Sequence, residues 1–215
     1  MKSALFVWGG WDGHEPKQSA EAVAPVIEKA GLKVEISNTL DAYLDADKMK
    51  SYSVIVQCWT MGEITGEQWS GLSNAVKGGV GMAGWHGGMG DSFRTNSAYQ
   101  FMAGGQFVDH PGGIIDYDVH VTKPDDPIVK GIGDFKHKSE QYYMHVDPSN
   151  EVLAETPVTG QHCPWVQPFT MPVVWKRMYG KGRVFYSALG HVAKEFEVPQ
   201  IIEITKRGIL WAAGK

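Results

Sequence analysis

Only two cysteines occur in 215 residues, so neither a disulfide framework nor a thiolate metal site can be built. Cys58 and Cys163 lie far apart and match no metal or redox spacing. A reducing compartment suits them, and a cytoplasmic location is expected. An excess of positive charge is missing too. With 20 Lys+Arg against 24 Asp+Glu and a net charge of −4, nothing offers the basic stripe that nucleic acid or an anionic membrane requires. Long apolar runs are absent. The opening run breaks at Gly9-Gly10, short of a membrane span and without a small-residue cleavage site; it reads as a buried strand of an unexported protein. No Gly-x-Ser-x-Gly elbow and no phosphate loop ending in Lys-Ser/Thr occurs. The turn Gly9-Gly10-Trp11-Asp12-Gly13 lacks dinucleotide-binding spacing, so no nucleotide cofactor is expected. Without repeats, low-complexity tracts or linkers, residues 1–215 read as a single domain.

What remains is an alternation of short apolar runs with amphipathic stretches. Ala4 to Trp8, Leu32 to Ile36, Val54 to Trp59 and Val80 to Trp85 read as strands of a parallel sheet built from βαβ units. Between the first two, Ala20, Val23, Ala24, Ile27 and Ala30 recur at helical spacing up to Gly31, although Pro25 interrupts the pattern. Thr65 caps a helix over Gly66 to Lys77. A further helix is predicted from near Asp91 through Tyr99 and Phe101 to Gly104. The period-two pattern of Ile115 to Val121 then signals a half-exposed strand. Val152 to Ala154, Val173 to Met178 and Arg183 to Ala188 continue the series. A hairpin link at Tyr179-Gly180-Lys181-Gly182 adds an antiparallel element, and Ile201 to Ala212 forms a closing helix. The fold class is α/β, a three-layer sandwich around a mainly parallel sheet.

Ligands of such sheets bind beyond the carboxyl ends of the strands. That edge receives Trp11, Asp12 and His14 from the first strand and Trp59 from the third. The fourth delivers Trp85 and His86 in Gly84-Trp85-His86-Gly87-Gly88, and the last delivers His191. Glu140, in Ser139-Glu140-Gln141-Tyr142-Tyr143, stands among aromatics, where burial is expected to raise its pKa and suit it to proton transfer. His110 either anchors a loop or reaches the site. Two chemistries stay open. Imidazole and carboxylate can act as acid and base near neutral pH, or they can hold a divalent metal, zinc or manganese, with His86 and His191 as ligands. No His-x-x-x-His pair marks a metal site on one element, so its ligands must come from several strands. Trp8, Trp11, Trp59 and Trp85 cluster where strands end and offer flat faces that suit the C–H face of a sugar ring, although core packing is the ordinary fate of tryptophan.

The chain resembles the ThuA-like (trehalose-utilisation) family, a branch of the class I glutamine amidotransferase-like fold, through motifs spread along nearly its whole length. These are Gly9-Gly10-Trp11-Asp12-Gly13-His14, Gly84-Trp85-His86-Gly87-Gly88, Phe107-Val108-Asp109-His110-Pro111, Asp126-Pro127-Ile128-Val129-Lys130-Gly131-Ile132, Glu140-Gln141-Tyr142-Tyr143 and the run from Gly180 to His191. The resemblance implies a flavodoxin-like sandwich. Amidotransferases of this fold carry a nucleophilic cysteine at the elbow, where this chain has His86, so thiolate hydrolysis of glutamine is not expected. What the resemblance implies instead is sugar catabolism: action on an oxidised (3-keto) sugar or glycoside by elimination, isomerisation or glycosidic cleavage. His86, His191, Glu140 and His14 would carry it, and Trp11, Asp12, Trp59, Trp85, His110 and Tyr142 would bind substrate. A non-catalytic sugar-binding or assembly protein on the same fold is the alternative. The partners expected are a small sugar and further copies of the chain in a homo-oligomer.

Overall fold

The computed structural model describes residues 2–215. Its centre is a nine-stranded sheet. The parallel half comprises β1 (Ser3–Gly10), β2 (Lys33–Ser37), β3 (Val54–Thr60), β4 (Gly81–Trp85) and, from the far end of the chain, β11 (Gly182–Ser187). These lie in the order β2-β1-β3-β4-β11. Being covered on both faces, β3 and β4 bury nearly every residue, which is why their sequences are continuous apolar runs rather than alternating ones.

The helices covering the sheet are α1 (Pro16–Lys29), α2 (Ala46–Ser51), α3 (Gly66–Gly78), α4 (His86–Gly90), α5 (Ser97–Ala103) and α6 (Pro199–Ala212). α1 passes through Pro25 on its solvent side, where water can replace the hydrogen bond that proline removes. Thr65 and Gln68 form a reciprocal capping box at the start of α3. α6 turns Ile201, Ile204, Thr205, Gly208 and Ala212 inward, the face its spacing predicts.

The helix predicted from Asp91 starts later. Phe93 adopts a left-handed φ of 50°, which breaks the helical path, and Asn96 caps the backbone N–H of Tyr99 to start α5 at Ser97. Asp91 instead closes α4 and takes Arg94 in a two-pronged ion pair with both contacts at 2.7 Å.

The antiparallel part is larger than expected. Beyond β11 the sheet continues through β10 (Phe169–Tyr179), β9 (Glu151–Val158), β6 (Ile114–Val121) and β7 (Phe135–Glu140), so it exceeds a flavodoxin-like sheet. A separate two-stranded sheet pairs β5 (Gly105–Asp109) with β8 (Tyr143–Val146). These extra strands fold back over the carboxyl ends of the parallel strands. They bring Glu140, His110 and Tyr142 to the edge where β1, β3, β4 and β11 finish. Among the described residues no helix is long and apolar enough to cross a membrane.

Candidate functional site: a carboxylate ringed by imidazoles

His86 begins α4 directly after β4, in a left-handed conformation with φ 44°. Such a backbone costs about 1–3 kcal/mol for a residue other than glycine and persists only where its surroundings enforce it. Here the Tyr186 hydroxyl donates to the His86 carbonyl at 3.0 Å, and the ring is fixed by a 2.8 Å bond between Nδ1 and the Ala188 carbonyl. A carbonyl only accepts, so Nδ1 carries the proton. In the neutral ring Nε2 is then a bare lone pair, and it faces Glu140 Oε2 at 3.1 Å. Burial pushes His86 down to about 4, against the opposing pull of Glu140. A neutral lone pair and a carboxylate oxygen that close require a cation or a proton between them.

Three more imidazoles point at the same carboxylate. His14, in the short turn after β1, places Nε2 at 3.9 Å from Oε2 while its Nδ1 lies 3.0 Å from the Thr60 hydroxyl at the end of β3. His191, beyond β11, places Nε2 at 3.6 Å from Oε1, and burial lowers its pKa. His110, after β5, does the same at 3.6 Å. The donor atoms of His14, His86, Glu140 and His191 all lie within 4.8 Å of one another. Metal bonds of about 2.0–2.1 Å in a tetrahedron put neighbouring donors about 3.3 Å apart; His86 Nε2 stands 3.1 Å from the Glu140 carboxylate, and the Nε2 atoms of His191 and His14 stand 3.6 and 3.9 Å from it. The residues therefore fit a divalent ion with nitrogen and carboxylate ligands.

The ionisation expected for Glu140 is corrected. Burial does push the carboxyl up, but the His14, His86 and His191 imidazoles around it outweigh that and hold it well below the usual carboxylate range. An ionised Glu140 suits a ligand or a base rather than an acid.

Glu195, which lies in a charged run and shows no pattern in the sequence, turns out to position His191. It accepts the backbone N–H groups of Gly190 at 3.1 Å and His191 at 3.0 Å, His137 Nε2 at 3.1 Å and the Ser139 hydroxyl at 2.5 Å. Burial pushes its carboxyl up, and the His137 and Ser139 bonds outweigh that, bringing it to about 2. This half-buried carboxylate, in the 3-10 turn Ala193–Glu197, thus anchors the loop that carries a candidate ligand.

The remaining sequence candidates divide. Tyr142 is buried with its ring 4.0 Å from that of His86. Trp11 is 49% exposed with its ring 4.8 Å from His14, and exposed Asp12 begins the His14 turn. Trp59 covers Gly9 and Gly62 on the same rim. Trp85 does not reach the crevice. Its side chain is enclosed against Phe196, ring centres 5.2 Å apart, because the residue before the elbow points into the layer between sheet and helices.

The fold recurs in solved structures. A ThuA-like protein from Bacteroides uniformis superposes with a TM-score of 0.80 at 20% identity, over 98% of this chain and 91% of that one. A ThuA-like protein from Parabacteroides merdae gives 0.80 at 17% identity, over 100% and 91%. A cytoplasmic protein from Salmonella typhimurium gives 0.67 at 12%, over 99% of each chain. At these identities the likeness is one of fold. No curated protein matches the sequence. The family model for ThuA, trehalose utilisation, matches residues 3–212, and the chain accordingly belongs to the ThuA family.

Proposed function

We propose that the chain is an enzyme of carbohydrate catabolism acting on an oxidised (3-keto) sugar or glycoside, with a divalent metal ion, zinc or manganese, held by His14, His86, His191 and Glu140. One observation carries the metal: the His86 lone pair, fixed by the proton on Nδ1, faces an ionised carboxylate at 3.1 Å amid two further imidazole nitrogens. The sugar reading draws on the family's description, on exposed Trp11 beside His14 and on half-buried Trp59 on the same rim. Bound there, the ion would supply Lewis acidity to a ketone oxygen, making the neighbouring C–H acidic.

The chain's own groups supply the rest. Tyr142 and the Ala188 carbonyl orient His86. Glu195 orients His191. His110 lies outside the quartet with its side chain 38% exposed; it is the imidazole left to take or return a proton at Nε2 during elimination, isomerisation or glycosidic cleavage. Trp11 and Trp59 bind the ring face. The order of the parallel strands, 2-1-3-4-5 counted along the chain, supports placing the fold beside the class I glutamine amidotransferase-like proteins, with His86 at the position of their elbow cysteine. A cytoplasmic location accords with the description of the Salmonella neighbour.

Incubating the purified protein with 3-keto-glucosides, with and without added zinc or manganese, tests the reading. Metal-dependent turnover that His86→Ala abolishes supports it. Sugar binding without turnover under any metal condition contradicts it and favours a binding protein.

A further inference from the structure

His14 and His191 come from opposite ends of the chain, yet their rings meet edge to face with centres 5.2 Å apart. No local contact can fix that distance across such a sequence separation. What joins the two loops is the residue after His14.

Glu15 adopts a left-handed backbone, φ 47° and ψ 51°. Its N–H donates to the Asp12 carbonyl at 2.9 Å and its carbonyl accepts the Ser19 N–H at 2.8 Å, so the turn carrying His14 is fastened directly to α1. That conformation costs about 1–3 kcal/mol in a residue other than glycine. Glycine, however, brings no carboxylate. Here the carboxylate reaches the loop after β11 and accepts the Ala193 N–H at 3.1 Å. Ala193 opens the short turn Ala193–Glu197, and Val192 before it has no side-chain acceptor with which to cap that turn. Two carboxylates therefore hold the loop. Glu195 accepts the N–H groups of Gly190 and His191 from within the turn, which fixes the loop's shape. Glu15 accepts that of Ala193 from the far end of the chain, which fixes where the loop stands relative to His14.

We propose that Glu15 is a positioning residue whose carboxylate bridges the His14 turn to the His191 loop and sets the separation of the two imidazoles. Only the affinity readout of its test rests on the metal reading above. Glu15→Gln keeps an acceptor oxygen, whereas Glu15→Gly removes it while relieving the backbone strain. Ala193→Pro removes the donor instead. It does so at the first position of a helical turn, where proline is tolerated, and after Val192, whose φ of −130° and ψ of 161° suit a following proline. Competitive titration with zinc and with manganese should give Glu15→Gln an affinity close to that of the wild type. Glu15→Gly and Ala193→Pro should each lose about 10–100-fold, and the double variant should lose no more than either, since both cut the same bond. Wild-type affinity in Glu15→Gly, or losses that multiply in the double variant, overturns the proposal. A nuclear Overhauser contact between the His14 and His191 rings gives a readout that needs no metal. It should be present in the wild type and Glu15→Gln and lost in Glu15→Gly and Ala193→Pro. If the wild type binds neither metal but the contact follows this pattern, the bridge stands and the metal centre falls. If the contact is missing from the wild type, or survives in both Glu15→Gly and Ala193→Pro, the bridge is wrong.

Discussion

Gly87→Ala perturbs the cluster without deleting any of its members. Gly87 lies in α4 directly against His14: a Cβ there would stand 2.3 Å from His14 Cε1 and 2.4 Å from Nδ1, with the Tyr142 hydroxyl at 3.1 Å on another side. Carbon atoms settle at about 3.5–4.0 Å, so the imidazole must retreat by about 1 Å or more. Metal bonds tolerate only about 0.2 Å. The methyl group should therefore cost His14 its place among the ligands and lower metal affinity by about 10–100-fold, the range found when ligand positioning is disturbed. Overpacking should also destabilise by about 1–3 kcal/mol, lowering Tm by about 2–4 °C per kcal/mol for a chain of this size. Gly78→Ala is the control, since nothing lies within 4 Å of its Cβ; it should be neutral or stabilise by up to about 1 kcal/mol. Competitive metal titration against a chromogenic chelator, with thermal melts of both variants, reads the difference. Wild-type metal affinity in Gly87→Ala would refute His14 as a ligand.

Other outcomes follow from the same geometry. Trp11→Ala should raise KM for sugar substrates and leave Tm nearly unchanged, whereas Trp85→Ala, which empties a core position, should cost about 3–5 kcal/mol; melts and steady-state kinetics on both variants separate the roles. Burial pushes the Cys58 thiol up to about 12, and Cys163 is buried as well. Native protein should therefore resist alkylation and keep its activity under thiol reagents, while two thiols react after denaturation. Glu35, paired with Lys48 and Tyr52, is held below its ordinary range, first by the Lys48 bond and then by that from Tyr52. A depressed folded pKa contributes stability that is complete above the unfolded pKa and is lost as pH falls through the folded value. The stability gap between wild type and Glu35→Gln, at most about 1 kcal/mol for so exposed a pair, should be present at pH 7 and close in acid; urea titrations at the two pH values measure it.

Much of the parallel half could be read from sequence because its signals are local. The buried runs of β1, β3 and β4, the Thr65 cap and the Gly180–Gly182 turn each announce themselves within a few residues. His14, His86 and His191 were legible for a related reason: each follows a strand whose carboxyl end must lie on one edge. The antiparallel extension was only partly legible. β7 reads Phe-Lys-His-Lys-Ser-Glu, with its inward positions taken by His137 and Ser139, so polar residues mask the alternation that would mark a strand. Those inward residues are polar because they bond Glu195, a partner 58 positions away for His137, and no short-range pattern encodes that. The ionisation of Glu140 was misjudged likewise. Its aromatic neighbours are adjacent in sequence, whereas the imidazoles that outweigh burial arrive from β1, β4 and β11.

The most direct test of the imidazole cluster is metal content, measured by inductively coupled plasma mass spectrometry on protein purified without chelator or nickel-affinity resin. One zinc or manganese ion per chain is expected in the wild type, with near-complete loss in His86→Ala despite an intact fold. A metal-free wild-type protein that still turns over 3-keto-glucosides would contradict the metal centre and return the cluster to proton transfer alone.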